Sequence, residues 1–399
     1  MQTHSLVPDL VNKRLICLKN LKILQGSLRP ACSITITSIS IQDEFTTMIK
    51  SRPALITPKF NPEKPKHAVQ HYIITTGPPI KSKARRLHQE KPAIAKSEFE
   101  TMVKLGIARR SWSPYSSPLH VADKPGGGYR PCGDYLLLNN ATINDNYPIP
   151  RIQDFTAQLA GCTIFSKIDL VRGYNQISVW PKDVPKTAVI TPFGLYEFLC
   201  MPFGLKNAAQ TFQRFMDQVL HGLNFVFDYL DDILVASRSN EKHKEHLEVL
   251  FERLESNGLV VRLEKCEFGK SKINFLGHEV DRHGIRPLSS KIKAIQEYSQ
   301  PTTVSSLQRF LGAVNFYHSF IPWAAELARP LYKAIIGVPK SKTLQWSDQM
   351  IQAFKDTKDS LVKQTLLHHP IKDALIALTS DASNFAIGAV LEQQVGNQW

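Results

Sequence analysis

The sequence predicts an α+β protein, and three observations carry that expectation. Between about Thr163 and Val280 the apolar residues alternate between the two-residue period of a strand and the 3.6-residue period of a helix, in the order β-α-β-β-α-β. Two apolar runs, "FVFDY" and "DILVAS", stand almost back to back as a hairpin within residues 225–237. Beyond residue 281 helical spacing takes over. The six-element order is that of a split βαβ unit, an antiparallel sheet with two helices on one face.

The elements follow in chain order. Residues 1–55 mix short apolar pieces with no sustained period and stay unassigned. "TPKFNPEKPKH" and "TTGPPIKSK" are proline-rich and read as extended chain. A helix is expected over about 92–107, with Pro92 near its start and Phe99, Met102, Val103 and Leu105 on its apolar side. "LHVA" and "YRPCGDY" read as short strands joined by the turn "KPGGG". "TIFSKID" reads as a strand ending on Asp169. "LKNAAQTFQRFMDQVLHG" carries Ala208, Phe212, Phe215, Met216, Val219 and Leu220 at helical spacing, with Gly222 as a stop. The hairpin comes next. A second helix starts near Asn240, carries Leu247, Leu250, Phe251 and Leu254, and stops at Asn257-Gly258. "LVVRLEKCEF" and "NFLGHEV" read as two strands that close the unit.

Composition narrows the function classes. The 399 residues carry 43% hydrophobic and 21% charged side chains, ordinary for a globular chain, but a net charge of +14. Between Thr57 and Arg110 stand 12 Lys or Arg against 4 Asp or Glu, including "KSKARR" and Arg109-Arg110. Clustered basic charge suits a phosphate backbone, with a solvated basic face as the rival account. The six cysteines are scattered without a CxxC pair, which argues against a zinc site and a disulfide framework and fits a reducing, cytoplasmic setting. No apolar run reaches membrane-spanning length, so no membrane partner is expected.

The hairpin poses the functional question, because Asp231 and Asp232 occupy its turn with no glycine beside them. In a split βαβ sheet the first strand lies beside the hairpin, so Asp169 is expected to meet the doublet. Three carboxylates at one sheet edge repel unless cations neutralise them. Mg2+ takes such oxygen ligands, and two ions about 3.5–4 Å apart can clamp an in-line phosphoryl displacement. A Tyr-x-Asp-Asp tetrapeptide alone is a weak signal and could be a solvated turn.

The surrounding motifs are specific. "SKIDLVRGYNQI", "KTAVITPFGLYEFLCMPFGLKNAAQTFQ", "YLDDILVAS" and "INFLGHEV" occur in this order. Together they closely resemble the reverse transcriptase of gypsy-type long-terminal-repeat retrotransposons and their retroviral relatives, from about His71 to Trp399. The resemblance implies a right-hand polymerase of fingers, palm and thumb with a split βαβ palm, followed by an incomplete RNase H-like α/β segment. It divides the chain into 1–55 unassigned, 56–100 basic linker and start of the fingers, 101–280 fingers and palm, 281–340 thumb and connection, and 341–399 the opening of the RNase H-like domain.

The resemblance also implies roles, with an RNA-directed DNA polymerase, a nucleotidyltransferase, as the activity. Asp169, Asp231 and Asp232 match the catalytic, metal-binding acids, serving two Mg2+ ions with Mn2+ as a substitute. Tyr174 resembles the gate that excludes a ribose 2′-hydroxyl; alone it reads as a core tyrosine. Lys124 and Arg130 match fingers residues that hold the triphosphate, while Phe203 and Gly204 form a flat wall against the nucleotide. Lys265 resembles the lysine that protonates pyrophosphate, though a solvated surface lysine is its rival. Lys206 and Gln213 are expected at primer and template, and Phe275, Leu276, Gly277 and His278 at the hairpin gripping the primer end. Asp381 matches the first RNase H acid. The partners implied are an RNA template, a DNA primer or product, and dNTPs, in a cytoplasmic, virus-like-particle setting with nuclear access. Self-association stays open.

Some positions depart from the family pattern. Leu136 and Leu137 follow Tyr135 where arginine is usual, Pro125 follows Lys124, and Asp228 adds a fourth acid beside Tyr229. Asp228 is expected either to perturb metal binding or to point to solvent. The sequence ends before the further RNase H acids, so no RNase H activity is expected of these 399 residues, which read as an interior piece of a polyprotein. The competing expectation is a catalytically inactive nucleic-acid-binding remnant.

Overall fold

The computed structural model describes residues 6–9, 14–17, 23–25, 44–57, 66–88, 90–123, 128–151, 156–362, 366–371, 373–382 and 387–396. The chain divides into two compact units, Met1–Asp43 and Glu44–Trp399. The first contains three short antiparallel strands, β1 (Leu6–Asp9), β2 (Arg14–Cys17) and β3 (Ile23–Gln25).

The second unit begins inside the stretch that the sequence left unassigned. Helices α1 (Glu44–Lys50) and α2 (Pro53–Ile56) bury Phe45, Ile49 and Leu55 in the main core. The two-residue strand β4 (Gln70–His71) is followed by α3 (Lys91–Lys104), which opens on Lys91-Pro92 because proline lacks only an N–H that a first turn leaves unpaired anyway. Then come β5 (Ala108–Arg110), β6 (Ser117–Asp123), β7 (Tyr129–Gly133), α4 (Leu136–Ala141), β8 (Ile164–Asp169), β9 (Ser178–Val179), β10 (Val189–Thr191) and β11 (Gly194–Phe198). A five-stranded sheet has the order β5-β11-β10-β6-β7.

The centre of the unit is β8, α5 (Ala208–Val219), β12 (Val226–Tyr229), β13 (Asp232–Ser237), α6 (Asn240–Ser256) and β14 (Glu267–Lys270). The strands pair antiparallel in the order β12-β13-β8-β14, the split βαβ topology. Its sheet is buried on both faces. Ile168, Ile233 and Val235 share one core with Phe212 and Phe215 of α5 and Leu247 and Phe251 of α6. Phe165, Phe227 and Leu234, on the alternate positions, share a second core with Phe275, Phe310 and Phe354.

Two expected strands are broken by turns. "LVVRLEKCEF" buries Leu259, Val260 and Val261 in succession, turns through one 3-10 turn at Leu263–Lys265, and only then enters β14. "NFLGHEV" is a hairpin of β15 (Lys272–Phe275) and β16 (His278–Asp281). Leu276 and Gly277 form its turn with φ of 45° and 81°. A leucine in a position that favours Asn or Gly hides that turn from the sequence.

The hairpin continues into β17 (Gly284–Pro287), an unexpected strand, and then α7 (Ser289–Gln296), α8 (Val304–Phe316), α9 (Ala324–Lys333) and α10 (Asp348–Val362). Phe354 of α10 lies 4.6 Å from Phe310 of α8 between ring centroids. β18 (Leu367–His368) joins β17. The remaining pair, β19 (Ile376–Ala382) and β20 (Ile387–Gln393), leaves Ile376, Leu378, Ile387 and Leu391 about two-thirds exposed or more. Among the described residues no helix is long and apolar enough to cross a membrane.

A buried polar chain ties α6 to the central sheet. The Ser166 hydroxyl accepts from the Gly269 N–H at 3.0 Å and lies 2.6 Å from His243 Nε2, whose Nδ1 is 2.8 Å from the Ser237 hydroxyl. Burial, helped by His246, lowers the His243 pKa from 6.5 to about 4. The ring therefore resists a proton that the unfolded chain accepts, so stability is unaffected above pH 6.5 and falls as pH drops from 6.5 towards 4. We expect the loss between pH 7 and 4.5 to be about 2.5 kcal/mol greater in the wild type than in His243→Asn, measured by urea unfolding at each pH.

Candidate active site

The hairpin turn is built from Leu230 and Asp231, with Tyr229 and Asp232 paired beneath them. Leu230 holds the left-handed backbone (φ 57°) that glycine would usually supply, at a cost of about 1–2 kcal/mol. Gln213 of α5 supports it from below. Fully buried, its side-chain carbonyl accepts the Leu230 N–H at 3.1 Å, while its amide donates to Asp228 at 2.6 Å and Asp217 at 2.9 Å. Burial raises the Asp228 pKa to about 6, against the pull of that Gln213 bond. On the other side stands Gly173. A Cβ there would lie 2.9 Å from Asp231 Cβ and 3.2 Å from the Phe212 ring, so its bare backbone lets the acid close in.

Asp232 lies directly opposite Asp169 in the β13–β8 ladder. Facing like charges destabilise a sheet, and three cations offset them. Lys167 reaches Asp232 at 3.0 Å, and Arg262 and Lys265 each stand 3.9 Å from the Asp169 carboxylate. The Arg262 N–H also donates to the Asp169 carbonyl at 2.7 Å, which fixes that segment over the site. Burial raises the Asp169 pKa, with Lys265 and Arg262 opposing. Burial raises Asp231 as well, reinforced by Asp232 and Asp169. Asp169 and Asp231 line a cavity of about 570 Å³ whose walls include Arg130, Arg172, Phe203 and Lys265.

Among the described residues no three His, Cys, Asp or Glu side chains close into a metal cage. Two carboxylates sharing one cavity, with a third at their edge engaged by a lysine, make an open oxygen donor set. Mg2+ accepts such a set, completing its shell with water and phosphate oxygens.

Comparison with known proteins fits this geometry. Residues 122–280 match the family "Reverse transcriptase (RNA-dependent DNA polymerase)" and residues 346–399 the "RNase H-like domain found in reverse transcriptase". Residues 122–280 are a reverse transcriptase domain. The chain is 38% identical over 335 residues to the retrovirus-related Pol polyprotein from transposon 297 of Drosophila melanogaster, covering 82% of this chain and 31% of the relative. It is 36% identical over 368 residues to that from transposon opus of the same species (88% and 37%). With the transposon Tf2-3 polyprotein of Schizosaccharomyces pombe it shares 33% over 299 residues (74% and 22%). It thus spans less than two-fifths of these polyproteins. The foamy viral protease-reverse transcriptase dRH in complex with double-stranded DNA shares the fold, with a TM-score of 0.79 at 19% identity over 89% of this chain and 63% of that one. The foamy viral protease-reverse transcriptase with an RNA/DNA hybrid gives 0.76 at 18% over 94% and 54%.

In this reverse transcriptase domain Asp169, Asp231 and Asp232 stand at one end of the split βαβ sheet. Tyr174 packs between Phe203 (5.1 Å) and Phe212 (5.4 Å), and burial, then Asp231, pushes its hydroxyl up to about 12. Arg130 lies 5.7 Å from the Phe203 ring, so Arg130, Tyr174 and Phe203, three of the expected nucleotide residues, stand together. Gly204 makes the adjoining turn at φ 91°. Lys124 lies outside the described residues. Asp381 falls in β19 with Gly388 opposite.

Several expected contacts are corrected. Gln213 is a support for the turn and not a primer or template contact, because its amide is buried and fully engaged. Phe275 and His278 are buried too, Phe275 against Phe227 and His278 among Phe316, Tyr317 and Phe320. They anchor the 275–278 hairpin, and only Leu276 and Gly277 at its tip remain half-exposed. The Lys206 ammonium donates to the Thr142 carbonyl at 2.8 Å and lies outside the cavity wall. Asp228 neither points to solvent nor enters the cavity; it is held by Gln213.

Four charged residues of the site escaped the sequence. Lys167 was legible, since it stands two residues before Asp169 and so on the same strand face. Arg172, Glu98 and Arg262 carry no local signal, because their partners are 74 or more residues away or lie across the cavity. The glycines give a paired test. Gly173→Ala is expected to destabilise by about 1–3 kcal/mol, since Asp231 Cβ cannot yield without moving the turn. Gly312→Ala, in α8 with open space around it, is expected to stabilise by about 0.5–1 kcal/mol. Unfolding midpoints of the two variants check both signs.

Proposed function

We propose that this chain is the RNA-directed DNA polymerase portion of a retrotransposon Pol polyprotein, adding dNTPs to a primer 3′-hydroxyl. The observation that carries this reading is the in-register opposition of Asp169 and Asp232, with Asp231 turned beside them into a cation-lined cavity. Asp169, Asp231 and Asp232 would hold two Mg2+ ions, or Mn2+, which when bound supply charge stabilisation for the attacking and leaving oxygens. Arg130 and Lys265, both on the cavity wall, would offset the triphosphate, and Lys265 would give a proton to the departing pyrophosphate. Phe203 and Tyr174 wall the sugar, so the choice of dNTP over NTP is steric. The nucleic acids bound by the foamy viral neighbours support a template–primer duplex as the partner. We assign 101–280 to fingers and palm and 281–340 to thumb and connection.

A second reading, a nucleic-acid-binding remnant without catalysis, is favoured by one observation. Leu136 and Leu137 stand 64% and 52% exposed where the family pattern has arginine, which removes a cation from the template side. Primer extension on poly(rA)/oligo(dT) with Mg2+ separates the two. Asp231→Asn is expected to lower the extension rate by roughly two to three orders of magnitude, the effect of deleting one electrostatic element of an active site. No triad-dependent extension, with salt-sensitive duplex binding retained, would establish the remnant.

A further inference from the structure

Arg172 has no place in the roles above, yet its geometry is unusual. It sits between Asp169 and Tyr174 with φ 47° and ψ 50°, a left-handed conformation unfavourable for arginine. Its guanidinium reaches Glu98 of α3, 2.8 Å from one nitrogen to Glu98 Oε1, and both residues line the cavity that holds Asp169 and Asp231. The two side chains remain 29% and 34% exposed. A solvent-accessible ion pair of this kind returns less than the backbone strain costs, so the pair alone does not account for the conformation.

The charges around it indicate what does. Arg130, Arg262 and Lys265 line the same cavity, and the latter two stand 3.9 Å from Asp169, too far to be hydrogen-bonded. Four cations thus share a space with Glu98, Asp169 and Asp231. Polyanions suit such a wall, and a guanidinium fork matches phosphate oxygens as it matches a carboxylate. We propose that Arg172 is a polyphosphate ligand of this cavity, held aimed by Glu98 and transferred from that carboxylate to the triphosphate when a nucleotide enters. This rests on the polymerase reading, and it assigns Glu98 as a positioning residue that competes with the ligand.

Opposite effects from the two partners distinguish this from a structural ion pair. Binding of tripolyphosphate with Mg2+ to the full chain is measured by titration calorimetry. Arg172→Gly is expected to weaken binding about tenfold, the scale of one charge-assisted hydrogen bond. Glycine accepts the left-handed backbone, so this variant should unfold no earlier than the wild type, which a thermal scan checks. Glu98→Gln is expected to tighten binding severalfold, and the double variant to behave as Arg172→Gly. Weakening by both substitutions, an unchanged affinity in Arg172→Gly, or no binding by the wild type overturns the proposal. Primer extension runs alongside: opposite shifts without extension fault the polymerase reading and uphold the phosphate site. Extension with unmoved binding overturns the role of Arg172.

Discussion

The antiparallel ladder between β8 and β13 sets everything that the site does. It places Asp169 against Asp232, and because side chains alternate across a sheet, a slip of one residue would send one acid to the opposite face. Burial of both faces fixes the register, since Ile168, Ile233 and Val235 fill one core while Phe165 and Leu234 fill the other. The turn adds a local constraint: Leu230 carries the strain and Gln213 holds its N–H, which leaves Asp231 free to face the cavity. Apolar burial thus holds in place two carboxylates that would otherwise separate.

Charge is balanced at short range and not by distant screening. Lys167, Arg262 and Lys265 come from strand β8 and from the segment just before β14, and they converge on acids that burial disfavours in their ionised form. The site is locally unfavourable by every rule that governs an ordinary sheet end: facing like charges, a left-handed leucine, a left-handed arginine nearby. Such violations concentrate where a protein does chemistry, and the surrounding cores supply the stability that the site lacks. The split βαβ sheet is therefore densely packed behind the acids and open in front of them.

The same contrast runs through the supporting residues. Phe275, His278 and Gln213 belong to motifs rich in functional residues, yet each is buried and holds a turn in shape. Residue type and motif membership did not separate a residue that meets ligand from one that aims its neighbour; burial did. Phe203 lies at the boundary, packed against Tyr174 on one side and lining the cavity on the other.

By itself the sequence determined the split βαβ order, the hairpin, helices α3, α5 and α6, and the meeting of Asp169 with the doublet, because periodic apolar residues and short connections encode local structure and a single permitted topology. Lys167 could have been added from strand alternation alone. Tertiary structure decided the rest. The turns at Leu263–Lys265 and Leu276-Gly277 interrupt runs that read as strands, since packing and not turn chemistry imposes them. The docking of α10 onto α8 joins a segment expected to open a separate domain to the second core. Arg172 and Glu98, or Asp169 and Arg262, are brought together by the fold across long stretches of chain, and no local pattern can register a contact whose partners share neither an element nor a period.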